Sequence, residues 1–398
     1  MKKESYRVSL SISPFTDFLC GKGYTFEYGE EKASTPMELQ KLYMKAGATE
    51  VFGRLCTARK RYSENIADHS LESTIEKACI ARDLGLPFNP EVNLFAIYGD
   101  VLGQPGPDFS EYEEIKLSRP WEELTVEEMC DAAHIYGAVM SREILQTGVH
   151  VNIWDIGNEV NLGFGGVAIQ PFPNAFINEL GADWYKPPDA IDPEIGKMSI
   201  IKFLGMSESE QISWMREHVW PFQFKLMTAF TQGIESVDKT AKFTTHTTWA
   251  HNTDYTLAFA EGLLRSGFKL DCMGLSYYPS ADKDAQGRYS CVKDTITRLN
   301  KELGLESFIA EYAYPASQPE GPYNQWCNSI TGYDLTPDGQ AGFLRDFLIW
   351  GLENNVCGIR PWAPELAVAG WEAFAIFEGG DHNLVARPAL TAFNEALR

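Results

Sequence analysis

The sequence predicts an α/β fold, a (β/α)8 TIM barrel forming one domain over residues 1–398. Three observations predict it: eight short β-prone apolar runs are spread along the whole chain, amphipathic stretches lie between most of them, and no linker divides the 398 residues. A chain of this length buries roughly three-quarters of the surface its unfolded form exposes, enough for one large core.

Taken in order, the predicted strands are Arg7–Ser13, Glu50–Thr57, Glu91–Ile97, His150–Ile156, Lys242–Thr247, Asp271–Tyr277, Ser307–Glu311 and Cys357–Trp362. The helix signals between them are of the expected kind. Ser34-Thr35-Pro36 supplies a cap and a first-turn proline for a helix over Met37–Ala46, and Gly47 follows its end. Ser70 opens a second helix that Gly85 closes, and Thr125-Val126-Glu127-Glu128 begins a third with a capping-box arrangement. One stretch breaks the repeat. From Asn161 to Ser207 the chain carries Gly163, Gly165, Gly166 and five prolines around Trp184 and Tyr185, so we expect an irregular insertion after the fourth strand, over the carboxyl ends where barrel active sites lie.

Charge narrows the ligand. Fifty-five acidic residues against 34 Lys and Arg give a net charge of −21, which repels nucleic acid and anionic membrane surfaces. The 13% aromatic content suits an uncharged carbohydrate, because large rings stack on neutral sugar faces. No apolar run reaches 18 residues and none of signal-peptide length follows the N-terminus, so the expectation is a soluble cytoplasmic protein. Eight scattered cysteines with no C-x-x-C pair are read as reduced core residues.

No cofactor or metal is expected. Gly163-Phe164-Gly165-Gly166 loosely fits a dinucleotide loop, but Pro171 and Pro173 deny the helix whose N-terminus should hold the pyrophosphate. His246, His251 and Asp254 lack the spacing and the additional acidic or thiol ligands of a metal site.

The informative strings are Trp154-Asp155-Ile156-Gly157-Asn158-Glu159 and Phe308-Ile309-Ala310-Glu311-Tyr312. Each ends a strand in a glutamate, which places Glu159 and Glu311 on the fourth and seventh strands, facing each other across the barrel mouth. Cleaving a glycosidic bond with retention needs such a pair, one carboxylic acid and one ionised nucleophile about 5–5.5 Å apart. Asn158, a neutral donor beside the acid, fits a contact to the sugar 2-hydroxyl that strengthens as positive charge develops on the ring.

These strings resemble clan A glycoside hydrolases and, more narrowly, glycoside hydrolase family 53, the endo-β-1,4-galactanases. Asp271-Cys272-Met273-Gly274-Leu275-Ser276-Tyr277-Tyr278-Pro279 resembles that family's strand-six motif, Glu311-Tyr312-Ala313-Tyr314-Pro315 its nucleophile motif, and Gly370-Trp371 with Ala375-Ile376-Phe377-Glu378 its closing strings. The matches run from about residue 150 to 398. After strand three the chain departs, with Asn93-Leu94-Phe95-Ala96-Ile97-Tyr98-Gly99-Asp100 where the family carries His-Tyr-Ser-Asp, and after strand two only the family's arginine, Arg54, is kept.

The resemblance implies Glu159 as acid/base, Glu311 as nucleophile, and Arg54 as the group that keeps Glu311 ionised; the other reading of Arg54 is a packing ion pair. One of Tyr277 and Tyr278 is expected to offer its phenol to Glu311 and the other to be buried, the choice depending on a strand-end bulge. His246 contacts sugar or orients Glu159, and Trp249 and Trp362 are stacking platforms or core. The function expected is therefore a retaining β-glycoside hydrolase acting on β-linked galactosides or related short oligosaccharides. A non-catalytic carbohydrate-binding barrel would require one carboxylate to be missing. A metal-dependent lyase or isomerase would require three or more acidic ligands at successive strand ends.

Overall fold

A computed structural model describes residues 5–61, 66–172 and 184–397. Eight parallel strands form the barrel: β1 (Arg7–Val8), β2 (Val51–Leu55), β3 (Phe88–Val92), β4 (Trp154–Ile156), β5 (Phe243–Thr247), β6 (Leu270–Tyr277), β7 (Glu306–Tyr312) and β8 (Val356–Pro361). Their order round the sheet is β1-β8-β7-β6-β5-β4-β3-β2, so the sheet curls until β1 lies beside β2. That seam has no strand ladder. It is tied by Thr49 N–H to Val8 O (3.0 Å), Val8 N–H to Thr49 Oγ1 (2.8 Å) and Phe52 N–H to Ser11 Oγ (2.9 Å).

Outside the sheet lie α1 (Pro36–Lys45), α2 (Leu71–Leu84), α3 (Val126–Gln146), α4 (Trp220–Val237), α5 (Thr253–Arg265), α6 (Ala285–Leu303), α7 (Pro337–Glu353) and α8 (Ala389–Leu397), one after each strand. Their ends carry the sequence signals. Thr35 and Glu38, and again Thr125 and Glu128, form reciprocal capping boxes, Ser70 caps α2, and Gly85 closes it in the left-handed conformation at φ 69°.

Three strands differ most from expectation, the others by one or two residues at an end. The first strand stops at Val8 rather than Ser13, because the serine hydroxyls take over as partners: Ser11 accepts from Phe52, and Ser13 donates to the buried Glu365 (2.7 Å). The third strand begins at Phe88 and ends at Val92, after which Asn93 N–H turns back to Leu55 O (3.1 Å). The fourth is reduced to Trp154–Ile156.

The insertion opens with a short hairpin, Gly163–Phe164 against Val167–Ala168, and ends with the helix Ile200–Leu204, after which a further helix, Glu208–His218, leads to α4. Its residues 173–183 lie outside the described residues. A four-stranded side sheet was not anticipated: Thr25–Tyr28 and Glu31–Ala33 join Phe377–Gly380 and Asn383–Ala386, linking the two ends of the chain. The cysteines are not all core, since Cys56, Cys272 and Cys357 are buried but Cys291 is exposed.

The barrel interior is strongly polar. Arg7 pairs with Glu50 (2.8 Å) and reaches Asn89 (2.9 Å), and Arg360 binds the same Asn89 oxygen (2.7 Å) before reaching Glu91 and Asp155 (3.1 Å each). Above them, Arg54 is paired with Glu91 through its Nε. Close strand contact lets this column form. Gly274 on β6 lies opposite His246 on β5, and a Cβ there would stand 2.5 Å from His246 Cβ and 2.8 Å from Thr245 O. Gly274→Ala is therefore expected to cost about 1–3 kcal/mol, as overpacking does. Urea unfolding should show a lower midpoint with an unchanged m-value; an unchanged midpoint would count against this close approach.

Candidate active site

One end of the candidate site is made by the turn after β4. Gly157 takes φ 81°, and a Cβ at that position would meet Val160 Cγ1 at 2.3 Å, so only glycine fits. Asn158 and Glu159 follow, with Glu159 itself in the left-handed region at φ 47°. Such backbone is unfavourable for a residue with a Cβ and persists because its surroundings hold it. Asn158 donates through Nδ2 to Gly99 O (2.8 Å), and its Oδ1 faces His246 Nε2 (3.0 Å). The same imidazole nitrogen lies 3.2 Å from the Glu159 N–H, while Nδ1 faces Asp155 Oδ1 at 3.4 Å. His246 thus braces the turn that carries Glu159 from behind. Burial works against its charge, but Asp155 first, then Glu91 and Glu311, more than offset this and raise its pKa.

The other carboxylate stands at the end of β7. Arg54 donates through Nη2 to Glu311 Oε1, and Tyr278 donates its phenol to Oε2 at 2.5 Å. The choice between the two tyrosines is made by a break in register between β6 and β7: Leu275 pairs with Ile309 but Ser276 with Glu311. Tyr278 consequently points to the site. Tyr277 points outward, its ring 6.4 Å from Tyr289 on α6 and 5.5 Å from Phe347 on α7. Burial, with Glu311 and Glu159 nearby, holds the Tyr278 phenol well above its ordinary pKa, so it stays a donor.

The tryptophans divide similarly. Trp362, half-buried after β8, places its ring 4.1 Å from the Arg54 guanidinium carbon and so supports the cation that holds Glu311. Trp249 lies toward α5, its ring 6.4 Å from Tyr255. Neither His251 nor Asp254 joins His246: His251 lies against Arg288, and Asp254 pairs with Arg298 at 2.8 Å. Glu91, Asp155 and His246 do approach one another as three metal ligands would, but Arg54 and Arg360 already neutralise the two carboxylates.

Several residues at this mouth were missed from the sequence. Tyr278 is flanked by Trp326 (5.1 Å between centroids) and Trp371 (6.1 Å), and Tyr323 touches both. Glu91 and Arg360 are the buried partners of Arg54 and Asp155; charged residues inside otherwise apolar strands were the available signal. Beyond the loop after β3, a recess of about 270 Å³ opens under the insertion, lined by Trp121, Glu122, Trp184 and Lys186.

The two glutamates, both under a tenth exposed, sit in opposite electrostatic settings. Glu311 has a guanidinium and a phenol on its two oxygens. Among the described residues Glu159 has no salt-bridge partner, and His246 meets it only at its backbone N–H. Burial first, then the charges of Glu311 and Asp100, push its carboxyl up to about 8, against smaller opposing effects of His246 and Ser276. A carboxyl ¹³C titration should therefore find Glu159 protonated at neutral pH, and Glu311→Gln should move its titration to lower pH. A wild-type Glu159 that titrates in the ordinary glutamate range would contradict this account.

The sequence model of glycosyl hydrolase family 53 matches residues 195–393, half of the chain. An uncharacterized protein from the bgaB 5′ region of Niallia circulans is 27% identical over 122 residues, which make up 29% of this chain and 32% of that protein. The chain thus matches about a third of the length of that curated relative. Among solved structures, a family 53 catalytic domain from Ignisphaera aggregans is similar over 100% of this chain and 97% of its own, with a TM-score of 0.71 at 16% identity. A fungal β-1,4-galactanase is similar over 98% and 99%, with a TM-score of 0.70 at 16% identity. Xylanase 10B of Thermotoga maritima covers 98% of both chains with a TM-score of 0.51 at 15% identity. At such identities the likeness is one of fold, and it is the TIM barrel. With half of its length matched by the family's sequence model, the chain belongs to glycosyl hydrolase family 53.

Proposed function

We propose that the protein is a retaining β-glycoside hydrolase acting on β-linked galactosides or related short oligosaccharides. The observation that carries this reading is the divergent pair of carboxyls: Glu311 held by Arg54 and Tyr278, and Glu159 pushed up to about 8. The family supports it, as do structural neighbours described as galactanases and xylanases.

In the first step Glu159 gives its proton to the glycosidic oxygen as that oxygen leaves, while a Glu311 oxygen forms the bond to the anomeric carbon. In the second, Glu159, now ionised, takes a proton from water, whose oxygen displaces Glu311 from the same carbon. Tyr278 and Arg54 hold Glu311 in line for attack. Asn158 has one amide N–H on Gly99, which leaves the second for the sugar 2-hydroxyl.

The sign of the pH dependence follows from the acid's role. Activity needs Glu159 protonated, so kcat/KM should fall as pH rises through about 8. Glu311→Gln should abolish nearly all turnover while leaving the fold intact; more than a few per cent residual activity would remove Glu311 from the nucleophile role. Glu159→Ala should lose about 100- to 10,000-fold on natural glycosides, much less on activated aryl glycosides, and azide should rescue it to a β-azide product. NMR of the first-formed anomer tests retention directly, and inversion would refute the double displacement.

Preference for short substrates is part of the same proposal. The insertion packs against the loop after β3, where a Cβ on Gly103 would stand 2.4 Å from Trp184 Cη2, and it narrows that side of the mouth. On a ladder of chain lengths, kcat/KM should level off by about four or five units; a steady rise beyond that would mean an open cleft.

A further inference from the structure

The loop after β3 carries a third carboxyl to the site. Asp100 is half-buried, with Oδ2 accepting from the Tyr98 hydroxyl (3.0 Å) and Oδ1 from Leu102 N–H (2.7 Å). Each oxygen keeps a second lone pair. The loop is fastened to the residue before Glu159 from both sides. Asn158 Nδ2 binds Gly99 O (2.8 Å), while the buried Gln104 donates to both Asp100 O (2.9 Å) and Asn158 O (2.7 Å). Because backbone on both sides of the peptide between Gly99 and Asp100 is tied to Asn158, Asp100 cannot shift independently of the catalytic turn. Its placement at the mouth shows electrostatically as well: Glu311 raises the Asp100 carboxyl after burial does, and Asp100 in turn raises Glu159.

Nothing in the double displacement uses this group. Its geometry is that of an acceptor, with no cation bound to it among the described contacts and one donor on each oxygen. Resting on the glycosidase reading, we propose that Asp100 is a specificity-determining residue, accepting a hydrogen bond from a hydroxyl of the sugar bound across Glu159 and Glu311 and so fixing which β-glycosides are cleaved. Tyr98 keeps the carboxylate oriented, and the Asn158 staple sets its height above the ring. A site built around an acceptor of this kind discriminates strongly, since a substrate without the matching hydroxyl leaves it unpaired.

The test pairs enzyme variants with monodeoxy substrates. The fastest aryl β-glycoside or oligosaccharide of the wild-type enzyme is compared with analogues lacking one ring hydroxyl each, using wild type, Asp100→Ala and Asp100→Asn. Asp100→Asn keeps an acceptor for Leu102 N–H and so guards against a collapsed loop. Removing one particular hydroxyl should lower wild-type kcat/KM by about ten- to a hundred-fold, and the same removal should cost Asp100→Ala little, with Asp100→Asn in between. Losses that multiply independently at every position would overturn the proposal. So would an Asp100→Asn enzyme with wild-type kcat and KM on every substrate. Failure of the wild-type enzyme to cleave any β-glycoside would instead refute the glycosidase reading itself.

Discussion

Everything at the barrel mouth depends on a column of buried ion pairs that runs up the inside of the sheet. It starts with Arg7 and Glu50, passes through Asn89 to Arg360 with Glu91 and Asp155, and reaches Arg54, which holds Glu91 on one side and Glu311 on the other. Such groups are costly to take out of water, and each is tolerable only because the next supplies the opposite charge. The column therefore constrains six strands at once, β1 to β4 with β7 and β8. Removing any one charged member would leave a bare charge in the core, which is a larger penalty than the loss of its attraction alone.

Charge accounting within the column explains the chemistry above it. Three guanidiniums, Arg7, Arg54 and Arg360, face four carboxylates, Glu50, Glu91, Asp155 and Glu311, and Asp155, Glu91 and Glu311 raise the pKa of His246 against its burial. Among the described residues no guanidinium or ammonium is paired with Glu159, whose pKa is raised by burial first and then by Glu311 and Asp100, and Trp362 covers Arg54 at the top of the column. The same argument separates two residues of one type, Glu159 and Glu311, without any difference in their intrinsic chemistry.

Much of this was legible in the sequence, for identifiable reasons. The eight strands show because each is a short apolar run between helix caps, and Glu159 and Glu311 show because each ends such a run. What was not legible depends on distance or on local irregularity. Arg360 meets Glu91 across 269 positions, a pairing that no local pattern encodes. Tyr278 and Tyr277 exchange roles through a single break in register, and a shift of one residue reverses the face of everything after it. The side sheet escaped because its strands are three or four residues long and one of them ends in Gly379 and Gly380. Ser11 and Ser13 gave up strand pairing for side-chain bonds, which shortened β1 below what its apolar alternation suggested.

The pairing of first strand with last also fixes an order of assembly. Arg7 lies in register with Gly358, and Thr25 with Asn383, so the opening segment of the chain keeps two unpaired edges until its closing segment exists. Loop closure over such a span is entropically slow to begin, although its cost grows only gently with length. Arg360 arrives on that same closing strand, and until it docks, Glu91 and Asp155 have no guanidinium between them. A barrel missing only β8 is thus also a barrel with uncompensated acid at its centre, and the step that zips the two ends together is the step that makes its interior electrically tenable.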